Sequence, residues 1–97
     1  MKLTIIGQVS QIGQTVGVGE NNFEIREVIL KTVEEYPNFI LVKFMGERVT
    51  LLNDFKVGDI VQVKANLKGR EYTNDKGEYN VFMSVNGWAI DKAGVDE

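Results

Sequence analysis

The most regular stretch of the chain is Asp59-Ile60-Val61-Gln62-Val63-Lys64-Ala65-Asn66-Leu67-Lys68-Gly69-Arg70-Glu71-Tyr72. Apolar and polar residues alternate along it, which is typical of a β-strand with one face on a core and the other toward solvent. The inward set is Val61, Val63, Ala65 and Leu67, and the outward set is Gln62, Lys64, Asn66, Lys68 and Arg70. The stretch therefore predicts the most regular strand of the protein.

Four further strands and one helix are predicted around this strand. A period close to two marks strands at residues 3 to about 15, 23 to about 32, 39 to 45 and 78 to 90. The phase of the first strand is disturbed around Gly7, which predicts a bulge or bend there. Val49, Leu52 and Phe55 recur at three-residue intervals, which predicts an amphipathic helix of about two turns over residues 47–55.

The predicted order is strand, strand, strand, helix, strand, strand, with long hairpin loops after the first and the fourth strands. This is the order of an OB-fold, an all-β, five-stranded Greek-key barrel with one short helix. A length of 97 residues suits one domain. We expect the OB-fold domain to span residues 1–91, followed by a short acidic tail at residues 92–97.

Composition excludes several classes of function. The chain has no cysteine and no histidine, which removes thiolate nucleophiles, Ser-His triads and His-ligated metal sites, so we expect no enzyme, no metal, no cofactor and no small-molecule substrate. A net charge of -3 argues against an anionic-membrane binder, and any polyanion site must be a local patch. No apolar run approaches the roughly 18 residues of a membrane span, so we expect a cytoplasmic protein.

A local positive patch lies in the stretch quoted above. Residues 60–70 include no acid, and the outward face of the strand presents Lys64, Lys68 and Arg70. Tyr72 has the same phase, so its ring is expected at the end of this patch, at the base of the last loop. The third predicted strand adds an outward Phe39, Leu41 and Lys43, with Ile40, Val42 and Phe44 toward the core.

Aromatic rings beside cations suit single-stranded nucleic acid, because each base can stack for roughly 1–3 kcal/mol and each cation can neutralise a phosphate. The same pattern also fits a solvated strand face that protects a sheet edge, with rings that cap the core. Trp88, after Asn86-Gly87, is interpreted as a packing residue in preference to a stacking one.

Three segments of the chain carry a resemblance to a known family: 39–46 (Phe-Ile-Leu-Val-Lys-Phe-Met-Gly), 56–64 (Lys-Val-Gly-Asp-Ile-Val-Gln-Val-Lys) and 67–77 (Leu-Lys-Gly-Arg-Glu-Tyr-Thr-Asn-Asp-Lys-Gly). Through them the chain resembles the single-stranded DNA-binding proteins of bacteria and phages over about its last two thirds. An uncharacterised OB-type domain family looks closer still over residues 26–90, with Glu-Tyr-Pro after the second strand and Gly-Arg-Glu-Tyr before the last loop. The resemblance implies stacking rings at Phe39 and Tyr72 and a basic pair at Lys68 and Arg70.

We therefore expect an OB-fold that binds single-stranded DNA with little sequence preference, in replication, recombination or repair. Bases are expected to stack on Phe39 and Tyr72, with Tyr36 and Tyr79 as further candidates. Phosphates are expected at Lys43, Lys64, Lys68, Arg70 and Lys76. A homo-oligomer, dimer or tetramer, is expected because one OB-fold covers only about 4–16 nucleotides. The alternatives are an OB domain used for protein interaction or assembly, and single-stranded RNA binding.

Overall fold

The computed structural model describes residues 1–93, which form a closed β-barrel with one helix at its end. The strands are β1 (Lys2–Ile12), β2 (Val16–Val18), β3 (Phe23–Thr32), β4 (Phe39–Met45), β5 (Ile60–Thr73) and β6 (Tyr79–Lys92). Their order in the sheet is β1-β5-β6-β4-β3-β2, and β1 also pairs with β3, which closes the barrel. The predicted all-β OB-fold is confirmed, and β3 and β4 have the predicted bounds.

The core is built from alternate residues of the barrel strands. Val61, Val63 and Ala65 of β5 are buried, which confirms the alternation predicted for this strand. Phe44 of β4 is the largest fully buried side chain, and Val42 beside it is equally buried. Full burial of such side chains contributes roughly 1.5–3 kcal/mol each, so the barrel supplies most of the free energy of folding.

The helix between β4 and β5 is a 3-10 helix over Gly46–Asp54. Side chains three residues apart lie above one another in this helix, so Val49 and Leu52 share one face and are both buried, with Leu52 in the barrel core. Phe55 follows directly after the helix and is half-buried against the same core. The three-residue interval in the sequence was therefore the period of this tighter helix.

The loop after β1 holds a strand that the sequence did not predict. β1 ends at Ile12, short of the predicted residue 15, and the three residues of β2 then pair with β3. Val16 lies opposite Ile25, so the predicted first hairpin loop is partly ordered as an edge of the sheet.

The bulge or bend predicted around Gly7 lies slightly further along β1. The register of β1 against β3 shifts between Val9 and Gln11. At Gly7 the constraint is a close approach, because a Cβ atom there would lie 2.8 Å from the carbonyl oxygen of Lys31 on β3. The sequence signal was a glycine, and a glycine can mark either a bulge or a close approach.

β5 and β6 continue beyond the barrel as a two-stranded ribbon, residues 67–85, with its turn at 74–78. All side chains of residues 68–73 and 79–83 are exposed. The extents of the described residues are 55 × 35 × 20 Å, with a radius of gyration of 15.1 Å against about 13 Å for a compact chain of 100 residues. The elongated shape is what a ribbon standing out from a barrel produces.

β6 runs two residues past its predicted end, to Lys92. The predicted acidic tail, 92–97, therefore begins at the last residue of a strand, and its positions 94–97 lie outside the described residues. Within residues 1–93, no helix has the length and apolar character needed to cross a membrane.

Candidate nucleic-acid interface

The register of the ribbon sorts its side chains onto two faces, because directly opposed residues of an antiparallel pair point to the same side. The basic face has the pairs Lys68 with Ser84, Arg70 with Phe82, and Tyr72 with Asn80. The apolar face has the pairs Gly69 with Met83, Glu71 with Val81, and Thr73 with Tyr79. Glu71, which ends the acid-free run of the sequence, therefore points away from the basic face.

Two aromatic rings form a platform on the basic face. Tyr72 and Phe82 are diagonal neighbours with ring centroids 5.1 Å apart and planes inclined at 28°. This separation is within the range of favourable aromatic pairs. Tyr72 remains 42% exposed and Phe82 62% exposed, so both side chains stay partly open to a ligand.

A groove of about 500 Å³ separates the ribbon from β4. Three of the predicted phosphate-binding residues, Lys43, Lys68 and Arg70, line it together. The remaining lining residues are Gly69, Phe82, Met83 and Ser84, and none of these described residues is acidic. The groove therefore combines cations from two separate strands with one ring of the aromatic platform.

The outward face of β4 continues from this groove toward the start of the strand. Phe39 is 65% exposed and has the same phase as Lys43, about 13 Å away along the strand. Lys31 of β3 lies opposite Phe39, and Glu27 lies opposite Lys43. Glu27 is thus an acid beside the groove, where it reduces the positive potential around Lys43.

Trp88, interpreted from the sequence as a packing residue, lies outside the core cluster of the described residues. It lies in β6 where the register against β5 shifts, Lys64 pairing with Ala89 and Ala65 with Gly87. A bulge of this kind redirects the side chain of the extra residue. The ring is 40% exposed, with the Nζ atom of Lys64 at 5.8 Å from its centroid. Lys64 therefore contacts an aromatic side chain on the same outer surface.

Besides Phe39 and Lys64, three further predicted site residues lie apart from the groove. Tyr79 is exposed on the apolar face of the ribbon. Lys76 lies in the ribbon turn, where its backbone N–H donates to Oδ1 of Asn74 at 2.9 Å. Tyr36 is 82% exposed in the bend after β3. The structure does not bring these three side chains together with the groove residues.

Sequence reasoning missed Phe82. The signal was the length of the last loop: the five residues between Thr73 and Tyr79 place Arg70 opposite Phe82 and so move the ring onto the basic face. Trp88 had no comparable signal except Gly87 before it, because a bulge changes the phase of a strand without changing its composition.

Comparison with solved structures finds the same fold in single-stranded DNA-binding proteins. The mitochondrial single-stranded DNA binding protein Rim1 of S. cerevisiae superposes with a TM-score of 0.72 at 16% identity, over 95% of this chain and 93% of that one. The small single-stranded DNA-binding protein of Streptomyces coelicolor superposes with a TM-score of 0.65 at 19% identity, over 96% of this chain and 94% of that one. At these identities the likeness is one of fold.

Comparison of the sequence with curated proteins finds no match. A family model does match, and it covers residues 4–91, which is nearly the whole barrel and the ribbon. The family is described as a domain of unknown function, DUF3127. Because the match spans almost the entire chain, the protein belongs to the DUF3127 family.

Proposed function

We propose that this protein binds single-stranded DNA with little sequence preference, in the groove between the ribbon and β4. The observation that carries the proposal is the groove itself, where Lys43, Lys68 and Arg70 lie beside the exposed platform of Tyr72 and Phe82. The yeast and Streptomyces proteins that share this fold are named as single-stranded DNA-binding proteins, which adds support.

The chemistry of the groove favours a single strand over a duplex. An exposed ring can stack on a base only when the base is free of its own neighbours, and such stacking contributes about 1–3 kcal/mol per base. Lysine and arginine contact phosphates, which are the same for every sequence. A site built from these two elements selects single strands and reads little sequence.

The other predicted residues extend the proposal along the surface. Phe39 is proposed to stack a base further along β4, and Lys64 to hold a phosphate beside Trp88. Tyr36, Tyr79 and Lys76 are proposed as contacts of a longer strand that passes the bend after β3 or the ribbon turn.

We also propose a homodimer or tetramer, since one OB-fold covers only about 4–16 nucleotides and linked sites raise the total affinity. The cellular role proposed is replication, recombination or repair in the cytoplasm, without catalysis. Sedimentation velocity of the free protein tests the assembly state, and a monomer at all concentrations would contradict that part.

The binding experiment is fluorescence anisotropy of a labelled oligo-dT, compared with duplex DNA and oligo-U of the same length. We expect oligo-dT to bind more tightly than duplex, with a salt slope of about -0.7 per phosphate contacted. Equal affinity for duplex, or a salt-independent isotherm, would overturn the proposal. Clear preference for oligo-U would point to RNA, and absence of nucleic-acid binding would point to a protein-interaction module.

Two variants separate stacking from charge in this experiment. Tyr72→Ala removes a ring and no charge, so we expect a loss of about 1–3 kcal/mol in oligo-dT affinity with the salt slope unchanged. Arg70→Ala should make the slope shallower by about one phosphate contact.

The matched control is Lys56→Ala, an exposed lysine outside the groove that removes the same charge as Arg70→Ala. It should leave both affinity and slope near those of the unmodified protein. Melting temperatures of all variants accompany the titrations. A large drop in melting temperature with unchanged affinity would make Tyr72 a structural residue.

A further inference from the structure

We propose that a recess at the base of the ribbon is a second base-binding subsite, in which Trp88 stacks a base and Lys2, Arg48 and Lys68 hold the adjoining phosphates. The inference rests on the proposed function, because the ligand is the same single strand that occupies the groove. It extends the path of that strand from the ribbon platform to the 3-10 helix.

The recess has a volume of about 340 Å³, which is at the lower end of the range of small-molecule sites. Its lining residues are Lys2, Met45, Arg48, Asn66, Lys68, Asn86, Gly87 and Trp88. Three of them are cations that come from the start of β1, the 3-10 helix and β5, and none of these described residues is acidic. In a chain with a net charge of -3, three cations from separate elements indicate a site for an anion.

The backbone at the recess holds the indole ring outward. A Cβ atom at residue 87 would lie 2.5 Å from Cζ of the buried Phe44, so only glycine fits between the barrel core and this part of β6. Trp88 follows directly as the extra residue of the bulge. The tight packing under Gly87 therefore fixes the point from which the ring projects over the recess.

The open face of the ring is accessible to a base. The ammonium of Lys64 lies 5.8 Å from the ring centroid, close to the outer limit of about 6 Å for a cation–π contact, so little energy holds it there. Lys64 is an exposed, flexible side chain that can turn from the ring to a phosphate when a base arrives. A free strand would thus gain a stacking surface and a further cation together.

The recess also offers groups that can bond the edge of a base. Asn66 and Asn86 lie directly opposite each other on β5 and β6, and both are half-buried in the recess lining. Each side-chain amide provides donors and an acceptor, and unstacked bases are bonded along their edges by such groups.

The recess and the groove are adjacent parts of one surface. Lys68 lines both of them, so a phosphate at Lys68 joins the two subsites. Asn66 and Tyr72 are six residues apart on β5, which is about 20 Å along the strand. Both subsites therefore lie within reach of one strand of the roughly 4–16 nucleotides that one OB-fold covers.

Trp88 is the single tryptophan of the chain, so its emission reports on the recess alone. The probe is an oligo-dT of about 12 nucleotides, long enough for both subsites. We expect its binding, followed by anisotropy of a label on the oligonucleotide, to quench the emission of Trp88 in the same titration. Anisotropy measures the proposed function, and quenching measures the inference, so the two can fail separately.

Two variants complete the test. Arg48→Ala should make the salt slope for this oligo-dT shallower by about 0.7, while Lys56→Ala should not. Trp88→Ala should weaken binding by about 5- to 150-fold, and Trp88→Phe should restore much of the loss because it keeps a ring. If Trp88→Ala proves unstable, quenching in the unmodified protein and the Arg48→Ala slope decide.

Quenching together with the shallower Arg48→Ala slope would support the subsite. Binding without quenching, or with an unchanged Arg48→Ala slope, would overturn the inference and leave the groove intact as the binding site. Failure of oligo-dT to bind at all would overturn both proposals.

Discussion

The barrel and the ribbon share two strands, β5 and β6, yet side chains on these strands are buried in the barrel and exposed in the ribbon. In the barrel half of β5, Val61, Val63 and Ala65 are fully buried, whereas every side chain from residue 68 to residue 73 is exposed. The alternation that packs a core in one half of the strand presents cations and a ring in the other. Stability and the proposed binding surface are thus separated along one continuous strand.

The two regions also differ in what holds them together. Burial of apolar surface stabilises the barrel, at roughly 25 cal/mol per Å². The ribbon has its main-chain ladder and cross-strand pairs, which contribute about 0.2–1 kcal/mol each, and a lone two-stranded hairpin is only marginally stable in water. The ribbon therefore depends on the barrel for its order, and substitutions in the two regions should have different consequences.

The largest expected effect is that of Phe44→Ala in the barrel. Truncation of a fully buried phenylalanine should lower the free energy of unfolding by about 3–5 kcal/mol. Phe82→Ala is the matched change in the ribbon, and because Phe82 is 62% exposed its cost should be about 1 kcal/mol or less. Urea denaturation measures both, and similar losses would abolish the distinction between the two regions.

Glycine gives a second matched pair. Gly87→Ala places a Cβ atom 2.5 Å from the ring of Phe44, and this overpacking should cost about 1–3 kcal/mol. Gly69→Ala in the ribbon places its Cβ 3.8 Å from Val81, an ordinary contact, and should change stability by about 0.5 kcal/mol or less. Thermal melting distinguishes the two variants. An unchanged melting temperature for Gly87→Ala would mean that the core side chains around Phe44 rearrange at little cost.

Arg26→Ala should have a smaller effect, at the end of the barrel. Nε of Arg26 donates to the carbonyl oxygen of Gly13 at 2.8 Å, and Nη1 donates to Oδ1 of Asn53 at 2.7 Å. The side chain thus links the loop after β1 to the 3-10 helix, and its removal should cost about 1 kcal/mol. Arg26→Lys should fail to restore the loss, since lysine lacks the planar fork of donors. Full restoration by lysine would show that charge alone matters.

The smallest expected effect is that of Asn74→Ala in the ribbon turn. Oδ1 of Asn74 accepts from the backbone N–H groups of Lys76 and Glu78, both at 2.9 Å. We expect faster hydrogen exchange at these two amides, with a change of about 0.5 kcal/mol or less in global stability. Asp75→Ala in the same turn is the control and should leave the exchange rates unchanged. A large loss of global stability from Asn74→Ala would contradict the expectation that the ribbon turn contributes little to the free energy of unfolding.

Strands were predictable from the sequence where apolar and polar residues alternate without interruption. The bounds of β4 and the buried positions Val61, Val63 and Ala65 of β5 follow from alternation alone, because each strand has one face on the core. Leu67, also predicted to point inward, is only half-buried where the ribbon begins. β2 was not predictable, since its three residues are too few to show a period. The 3-10 helix was predicted as an ordinary amphipathic helix because residues three apart share a face in both.

The candidate site was predictable on one strand and hidden on its partner. Lys68, Arg70 and Tyr72 follow the phase of β5 outward from the core, so their common face could be read directly. Phe82 and Trp88 are on β6, whose phase is set by the ribbon turn and by a bulge. The outward positions of Phe82 and Trp88 therefore depend on how β6 pairs with β5, which is a tertiary property of the sheet.

The position of Met1 determines how the protein can be labelled and purified. The backbone N–H of Leu67 donates to the carbonyl oxygen of Met1 at 2.7 Å, and Lys2 lines the recess beside Trp88. Ala93 is instead bonded to Ile60, about 23 Å away along β5. An affinity tag or fluorophore joined ahead of Met1 would emerge next to the recess, and its own charges would compete with an oligonucleotide. Residue 93 lies at the opposite end of the barrel, away from the recess.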